Sequence, residues 1–239
     1  MIGNDISLEK VVFNLPRSHF QLQALGNLKL TEIDNTLAPG AFGSSSFDTL
    51  IFESDGDLEV RDSSLLAGQI FSLAAEGNLS LSNVYFNTSF AELVNRFGVV
   101  ADIQLSAQGS VLLNRTIEGS TLNTGQVLLI TSTSSNANSG NVLIKSQGNI
   151  ETFRTILAAS SLSLGSSGSL TIEAQENILL DGQSFLASDS FINEKAGTIA
   201  LKAGNQITLD NTSSLASNNF GQGEPSQIIV QAGGDIHLD

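Results

Sequence analysis

The densest group of carboxylates in the chain lies in the stretch FESDGDLEVRD, which contains Glu53, Asp55, Asp57, Glu59 and Asp62. Asp57 and Glu59 flank Leu58 and would share one face of an extended strand, from which they could approach a Ca²⁺ ion with help from Asp55. The stretch lacks the EF-hand loop and the glycine-aspartate nonapeptide of known Ca²⁺ sites. We therefore interpret it as a charged outer face and assign no metal ligand and no cofactor, with Ca²⁺ binding as the alternative.

A second set of acids recurs at one position of the repeat described below: Asp181, Asp210 and Asp239. A glycoside hydrolase needs two carboxyl groups about 5 to 9.5 Å apart, and such a row could supply them. Asp also favours turns, because its side chain bonds the backbone two residues on, and we interpret the three as turn residues. The arginines that a lyase could use lie in connecting segments, and we expect no alignment with the acids: Arg96, Arg115 and Arg154.

The chain has two histidines, His19 and His237, each at an outward position between apolar strand residues. Neither lies near a Ser or Asp that could complete a catalytic triad. We interpret both as solvated surface side chains. No catalytic residue is assigned, and the chain is predicted not to be an enzyme.

The composition excludes several classes of partner. The 24 acidic and 10 basic residues give a net charge of −14, which repels a phosphate backbone, so nucleic acid is excluded. Cysteine is absent, which excludes disulfides and thiolate metal sites. No apolar run is long enough to span a membrane, and the first residues lack the pattern of a secretion signal.

Eight blocks share one pattern of alternating apolar residues, a small residue, usually a glycine two positions later, and a second alternating pair. The first apolar residues of the eight blocks are Phe20, Leu50, Phe71, Ile103, Val142, Leu170, Ile199 and Ile228. The second pair always begins eight residues after the first. This alternation predicts two short strands with one buried face, and the small residue with its glycine predicts a corner between them.

Several connectors contain a third apolar island, at residues 63–67, 155–160, 184–188 and 213–217. In the later half, the second pairs begin 28 or 29 residues apart, at Ile150, Ile178, Ile207 and Ile236. Three strands per repeat at this period predict an all-β parallel β-helix of about eight coils, in which apolar side chains stack in columns. Antiparallel sheets or propellers would need hairpins of two to five residues, which this spacing does not provide.

Residues 1–239 are predicted to form one β-helix domain, with residues 1–19 as an N-terminal partial coil or cap. The longest connector, residues 114–141, is predicted to leave the coil as a hairpin, because two apolar runs in residues 126–146 flank a Ser/Asn/Gly loop. Stacked Asn149 and Asn177 are expected to form a polar ladder. The aromatic residues of the connectors are expected to be exposed, as caps or contact surfaces: Phe86, Phe90, Phe97, Phe191 and Phe220.

The blocks GSLTIEAQENILLDGQSFLAS and AGTIALKAGNQITLDNTSSLAS resemble the repeats of filamentous-haemagglutinin-like large exoproteins, especially cyanobacterial ones exported by two-partner secretion. The resemblance runs from about residue 20 to the end. It implies a right-handed β-helix, export through an outer-membrane transporter barrel, and a location that is secreted or on the cell surface. The Asn-Pro-Asn-Gly type motif of the family's secretion region does not occur, so we expect a piece of a longer fibre or a truncated reading frame.

The first functional hypothesis is a non-catalytic structural or adhesive segment that presents loops from a rigid β-helix to a cell-surface glycan or protein. The alternative is a polysaccharide-acting β-helix enzyme, similar to a pectate lyase or a glycoside hydrolase. Repeat motifs of this kind specify a fold more closely than an activity, so the two hypotheses differ in chemistry and not in architecture.

Overall fold

The structure of the chain is a computed structural model that describes residues 2–13, 18–35, 47–88, 100–114, 126–133, 136–192, 195–224 and 226–239. Its regular elements in these residues are all β-strands. The strands are β1 (Ile2–Gly3), β2 (Ile6–Glu9), β3 (His19–Ala24), β4 (Leu28–Thr31), β5 (Phe47–Ser54), β6 (Leu58–Ala75), β7 (Leu79–Asn87), β8 (Ile103–Ala107), β9 (Val111–Asn114), β10 (Val127–Ile130), β11 (Val142–Ser146), β12 (Ile150–Phe153), β13 (Thr155–Ala158), β14 (Leu170–Ala174), β15 (Ile178–Asp181), β16 (Phe185–Ala187), β17 (Thr198–Ala203), β18 (Ile207–Leu209), β19 (Ser214–Ala216), β20 (Gln227–Ala232) and β21 (Ile236–Leu238). The described residues contain no helix that is long and apolar enough to cross a membrane.

Every strand pairing in the described part of the chain is parallel, and the strands form three columns that wind into a parallel β-helix. The first column contains β1, β3, β5, the second half of β6, β8, β11, β14, β17 and β20. The second contains β2, β4, the start of β6, the start of β7, β9, β12, β15, β18 and β21. The third contains the middle of β6, the end of β7, β10, β13, β16 and β19. The predicted parallel β-helix with three strands per coil is confirmed.

The register agrees with the repeat read from the sequence. In the first column Ile103 pairs with Val142, and the following coils continue the row through Leu170 and Ile199. In the second column Ile178 lies between Ile150 and Ile207. The side chains of these residues are buried, so the apolar columns form one continuous core along the stack.

A second recurring feature is a backbone bend one or two residues after several segments of the second column. The residue there has a positive φ in coil after coil, and it is rarely a glycine: Lys10, Glu32, Asp62, Asn83, Arg154 and Asn211. The left-handed conformation turns the chain sharply into the third column, at a steric cost for residues that have a Cβ. Because the side chains vary, alternation of apolar residues did not predict this position.

The predicted hairpin in residues 126–146 is wrong. The strand β10 pairs in parallel with β7 and β13 in the third column, whereas β11 pairs with β8 and β14 in the first. Three of the described residues between them also contact the stack, because Thr131 Oγ1 donates to Gly140 O at 2.6 Å and Thr133 forms a parallel bridge with Ser161. The apolar run at 127–130 is therefore the third strand of its coil.

The N-terminal segment contributes to all three columns. The strands β1 and β2 pair with β3 and β4, and Val12 forms a parallel bridge with Asp34. These pairings add one coil before the eight blocks. Residues 1 and 14–17 of the predicted cap lie outside the described residues.

The inward and outward positions of the strands allow a direct test of the stack. Leu180 is fully buried between Thr152 and Leu209, whereas Leu143 faces outward between Gln104 and Thr171. We expect Leu180→Asp to lower the free energy of unfolding by at least about 4 kcal/mol, because it places a charge in the core. The same change at Leu143 should cost about 1 kcal/mol or less.

The measurement is urea unfolding of both variants, followed by far-UV circular dichroism. Equal losses of stability in the two variants would contradict the assignment of inward and outward faces.

Candidate functional site

A row of side-chain oxygens runs along the corner between the first and second columns. Each oxygen accepts a hydrogen bond from the backbone N–H of the corner residue one coil further on. The pairs, acceptor first, are Asp5 and Asn27 (2.7 Å), Asn27 and Asp57 (2.9 Å), Asp57 and Asn78 (2.7 Å), Asn78 and Ser110 (2.9 Å), Ser110 and Asn149 (3.2 Å), and Asn149 and Asn177 (3.2 Å). The predicted ladder through Asn149 and Asn177 is confirmed, and it extends over most of the stack.

This row of hydrogen bonds, the corner ladder, explains the role of one of the carboxylates that were considered for Ca²⁺. Asp57 accepts hydrogen bonds from the backbone N–H and the Nδ2 of Asn78, at 2.7 and 3.2 Å. Glu59 pairs instead with Lys29, at 3.7 Å, and with Arg61. The described residues contain no group of three His, Cys, Asp or Glu side chains that could hold a metal ion. Asp55, Asp57 and Glu59 are therefore not brought together as a site.

The corner ladder also explains the glycine of the repeat. Gly109 donates its N–H to Gly77 O at 2.8 Å, and a Cβ at Gly109 would lie 2.6 Å from Asn78 Oδ1 and 2.9 Å from Gly77 O. Gly109 is not among the described residues with a positive φ. Close approach of consecutive coils, and not a special backbone conformation, therefore requires glycine here.

Asp181, Asp210 and Asp239 lie on consecutive coils, since the residues before them pair as Leu180 with Leu209 and Leu209 with Leu238. Asp181 Oδ1 accepts hydrogen bonds from the Gly182 N–H at 2.5 Å and from Asn211 Nδ2 at 2.6 Å. Asp210 Oδ1 accepts from the Asn211 N–H at 2.7 Å. Asp181 and Asp210 therefore form turns, as their sequence position predicted.

Arg154 was expected not to line up with these acids, and the register agrees, because Phe153 pairs with Asp181 and Arg154 is the next residue. It occupies the positive-φ turn directly after β12, and its N–H donates to Asp181 O at 3.3 Å. Its guanidinium lies 5.9 Å from the centroid of the Phe153 ring. Arg96 and Arg115 lie outside the described residues.

The aromatic residues divide into two groups. Phe86 was expected to be exposed, but it is fully buried in the third column and its ring centroid lies 4.6 Å from that of Phe71. Phe191 and Phe220 are exposed on consecutive coils, as predicted, and their rings stack at 4.8 Å. Phe90 and Phe97 lie outside the described residues. His19 and His237 are exposed, in agreement with the prediction.

The described surface contains a groove with a volume of 1050 Å³. Its floor consists of the small corner residues Ser54, Ala75, Ala107, Ser146, Ala174 and Ala203, which lie on six consecutive coils. The side chains directly before and directly after these residues form the two walls of the groove. Because each coil contributes one residue to the floor, the groove runs parallel to the axis of the stack.

The first wall of the groove consists of outward side chains of the first column: Gln23, Glu53, Ala74, Ser106, Lys145, Glu173 and Lys202. The second wall consists of the residues that follow the floor residues: Asp55, Glu76, Gln108, Gln147, Gln175 and Gly204. In the sequence, Gln follows the small residue in three consecutive blocks. This repeated glutamine is a polar signal that the apolar periodicity does not contain.

The two ends of the groove differ in charge. Glu53, Asp55 and Glu76 make one end acidic, whereas Glu173 lies between Lys145 and Lys202 at the other end, 3.2 Å from each. Burial alone would raise the pKa of Glu173, but its hydrogen bonds to the two lysines and their positive charges outweigh this effect and lower the pKa below 4.5. Glu173 is therefore ionised at neutral pH, the opposite of what a general acid requires.

The corner glycine gives a matched pair of substitutions. We expect Gly109→Ala to lower the free energy of unfolding by about 1 to 3 kcal/mol, because the added methyl group collides with the corner ladder and separates two coils. Glu176 occupies the same corner position two coils later, where its N–H donates to Gly148 O. Glu176→Ala should therefore change the stability by less than about 0.5 kcal/mol. Denaturant titration of both variants measures these changes in stability. A Gly109→Ala variant as stable as the parent chain would refute the close approach of the two coils.

The ion pairs of Glu173 predict a pH effect. Because its pKa is lowered in the folded state, Glu173 contributes stability above its ordinary pKa, and this contribution is lost as the pH falls through the folded-state value. Between about pH 7 and pH 3, the free energy of unfolding of the parent chain should fall by up to about 1 kcal/mol more than that of Glu173→Gln. This difference is small because the Glu173 side chain is partly exposed. Glu151→Gln, between Leu112 and Leu179, is the control and should follow the parent chain. A Glu173→Gln variant with the parent's pH dependence would contradict the ion pairing.

Comparisons of the chain with protein-family models, with curated proteins and with solved structures find no match. The fold and the geometry of its surface therefore carry the functional argument.

Proposed function

We propose that the chain is a non-catalytic, structural and adhesive segment of a large exoprotein of the filamentous-haemagglutinin-like type. In this proposal the full protein is secreted or displayed at the outer cell surface after export through an outer-membrane transporter barrel. The β-helix serves as a rigid support that holds contact surfaces toward a cell-surface glycan or protein.

The observation that carries the proposal is the unbroken stack. Nine coils contribute strands to the first column, which at about 4.8 Å per coil makes a rod about 38 Å long. The corner ladder adds hydrogen bonds between consecutive coils, and the apolar core is continuous from Ile6 to Leu209. A rod of this kind keeps surface features at fixed spacings, which suits a support for adhesion.

The placement of the polar residues favours adhesion over catalysis. Asp57 belongs to the corner ladder, Asp181 and Asp210 form turns, and Glu173 pairs with two lysines. Each of these carboxylates is engaged by donors within the protein. A hydrolase or lyase of the alternative hypothesis needs carboxylates that are directed at a substrate.

The experiment compares turnover with binding in one preparation. The purified chain is incubated with pectin, polygalacturonate and alginate, with and without Ca²⁺, and reducing ends and unsaturated products are measured. In parallel, its retention on intact bacterial and eukaryotic cells is measured, with the Leu180→Asp variant as the control for non-native adhesion. We expect retention of the folded chain without any product.

Product formation that increases in proportion to the amount of purified chain would overturn the proposal in favour of the enzyme. Retention of the folded chain no greater than that of Leu180→Asp would overturn the adhesive part of the proposal.

A further inference from the structure

We propose that the groove binds a neutral linear polysaccharide that lies parallel to the axis of the stack, with about one sugar residue per coil. This inference deepens the proposed adhesive function, on which it rests, by naming the ligand class and the surface that binds it. The contacts are assigned to the amides of Gln108, Gln147 and Gln175 in the second wall.

The three glutamines occupy one position on three consecutive coils. Their backbone N–H groups donate to the floor residue of the preceding coil, since Gln108 bonds Ala75 O, Gln147 bonds Ala107 O and Gln175 bonds Ser146 O. Consecutive parallel strands are about 4.8 Å apart, so the three amides form a row with that spacing. The spacing is close to the length of one sugar residue in an extended polysaccharide.

The amides of these glutamines are free to bind a ligand. In the described part of the chain their side chains are exposed and form no hydrogen bond with protein atoms, whereas the asparagines of the corner ladder are engaged along the stack. An amide offers two N–H donors and a carbonyl acceptor, and a sugar hydroxyl can both donate and accept. A row of amides therefore matches a chain of hydroxyl groups better than it matches a ligand with one kind of polar group.

The backbone around the groove argues against an extended peptide. Peptides of that kind add a strand to a free sheet edge through main-chain hydrogen bonds. Here the strands cross the groove, and their backbone groups are paired with neighbouring coils, as for β8 with β6 and β11. The floor consists of Ala and Ser, which provide no deep apolar pocket for a peptide side chain.

The charges argue for a neutral ligand. The net charge of −14 opposes the approach of a polyanion. The acidic end with Glu53, Asp55 and Glu76 lies in the same groove, so an acidic polysaccharide that followed its full length would meet like charges. The lysines at the other end are already paired with Glu173.

The first experiment measures binding of the full chain to neutral linear oligosaccharides of graded length by isothermal titration calorimetry. The probes are gluco-, manno- and xylo-oligosaccharides and oligomers of N-acetylglucosamine. The floor spans six coils, so we expect the affinity of at least one series to rise with chain length up to about six sugars and then to level off.

The second experiment uses two triple variants. Gln108→Ala, Gln147→Ala and Gln175→Ala together should weaken binding of the best probe by about tenfold or more, because the hydrogen bonds of all three amides are lost. The control triple, Gln104→Ala, Gln206→Ala and Gln227→Ala, changes the same number of exposed glutamines outside the groove and should bind like the parent chain. Circular dichroism checks that both triples are folded.

The inference is overturned if no neutral series binds at millimolar concentration, if affinity is independent of length, or if the two triples weaken binding equally. Binding of polygalacturonate or of an unstructured peptide library in place of the neutral series would overturn it as well. The length series requires no variant, so it tests the inference even if a triple fails to fold. If the variant with all three groove glutamines replaced is still retained on cells, this inference alone is overturned. Product formation would overturn the proposed function alone.

Discussion

The backbone hydrogen bonds between consecutive coils are the constraint on which the structure depends. Each strand pairs with the strand at the same position one coil before and one coil after, as β14 pairs with β11 and β17. A single coil therefore has no strand partner of its own, and ordering it costs conformational entropy that only stacking offsets. The repeat is a consequence, because each coil must present the same register to its two neighbours.

This constraint accounts for most of the polar residues that looked capable of chemistry. At the corner, neighbouring backbones approach so closely that only glycine fits at Gly109, and a side-chain oxygen of the adjacent position satisfies the next coil's N–H. Asp, Asn and Ser can all supply that oxygen, so Asp57 is equivalent to Asn78 and Ser110 in the ladder. A carboxylate in such a row is a structural acceptor, and the same logic applies to Asp181 at its turn.

The sequence predicted the fold wherever apolar periodicity carried the information. The pairing of Ile178 with Ile150 and Ile207 follows from alternation and a constant offset. The third strand at Val127–Ile130 was mistaken for half of a hairpin, because its connector is long and parallel pairing over such a distance leaves no local signal. Phe86 was misassigned for a related reason, since an aromatic residue in a variable connector can be core or surface. The groove was missed because side-chain amides have no periodic apolar pattern.

Coil length and groove geometry are independent in this architecture. The corner residues of consecutive coils are 21 residues apart at Asp57 and Asn78 but 39 apart at Ser110 and Asn149, yet both pairs form the same hydrogen bond. The longer coil has its extra residues between Asn114 of the second column and Val127 of the third, and the shorter coil has fewer residues between its third and first columns, so neither difference shifts the floor of the groove. The strands fix the spacing of Gln108, Gln147 and Gln175 at one coil each, whatever the connectors contain. A ligand with a regular repeat can therefore be matched by a chain whose own repeats differ in length.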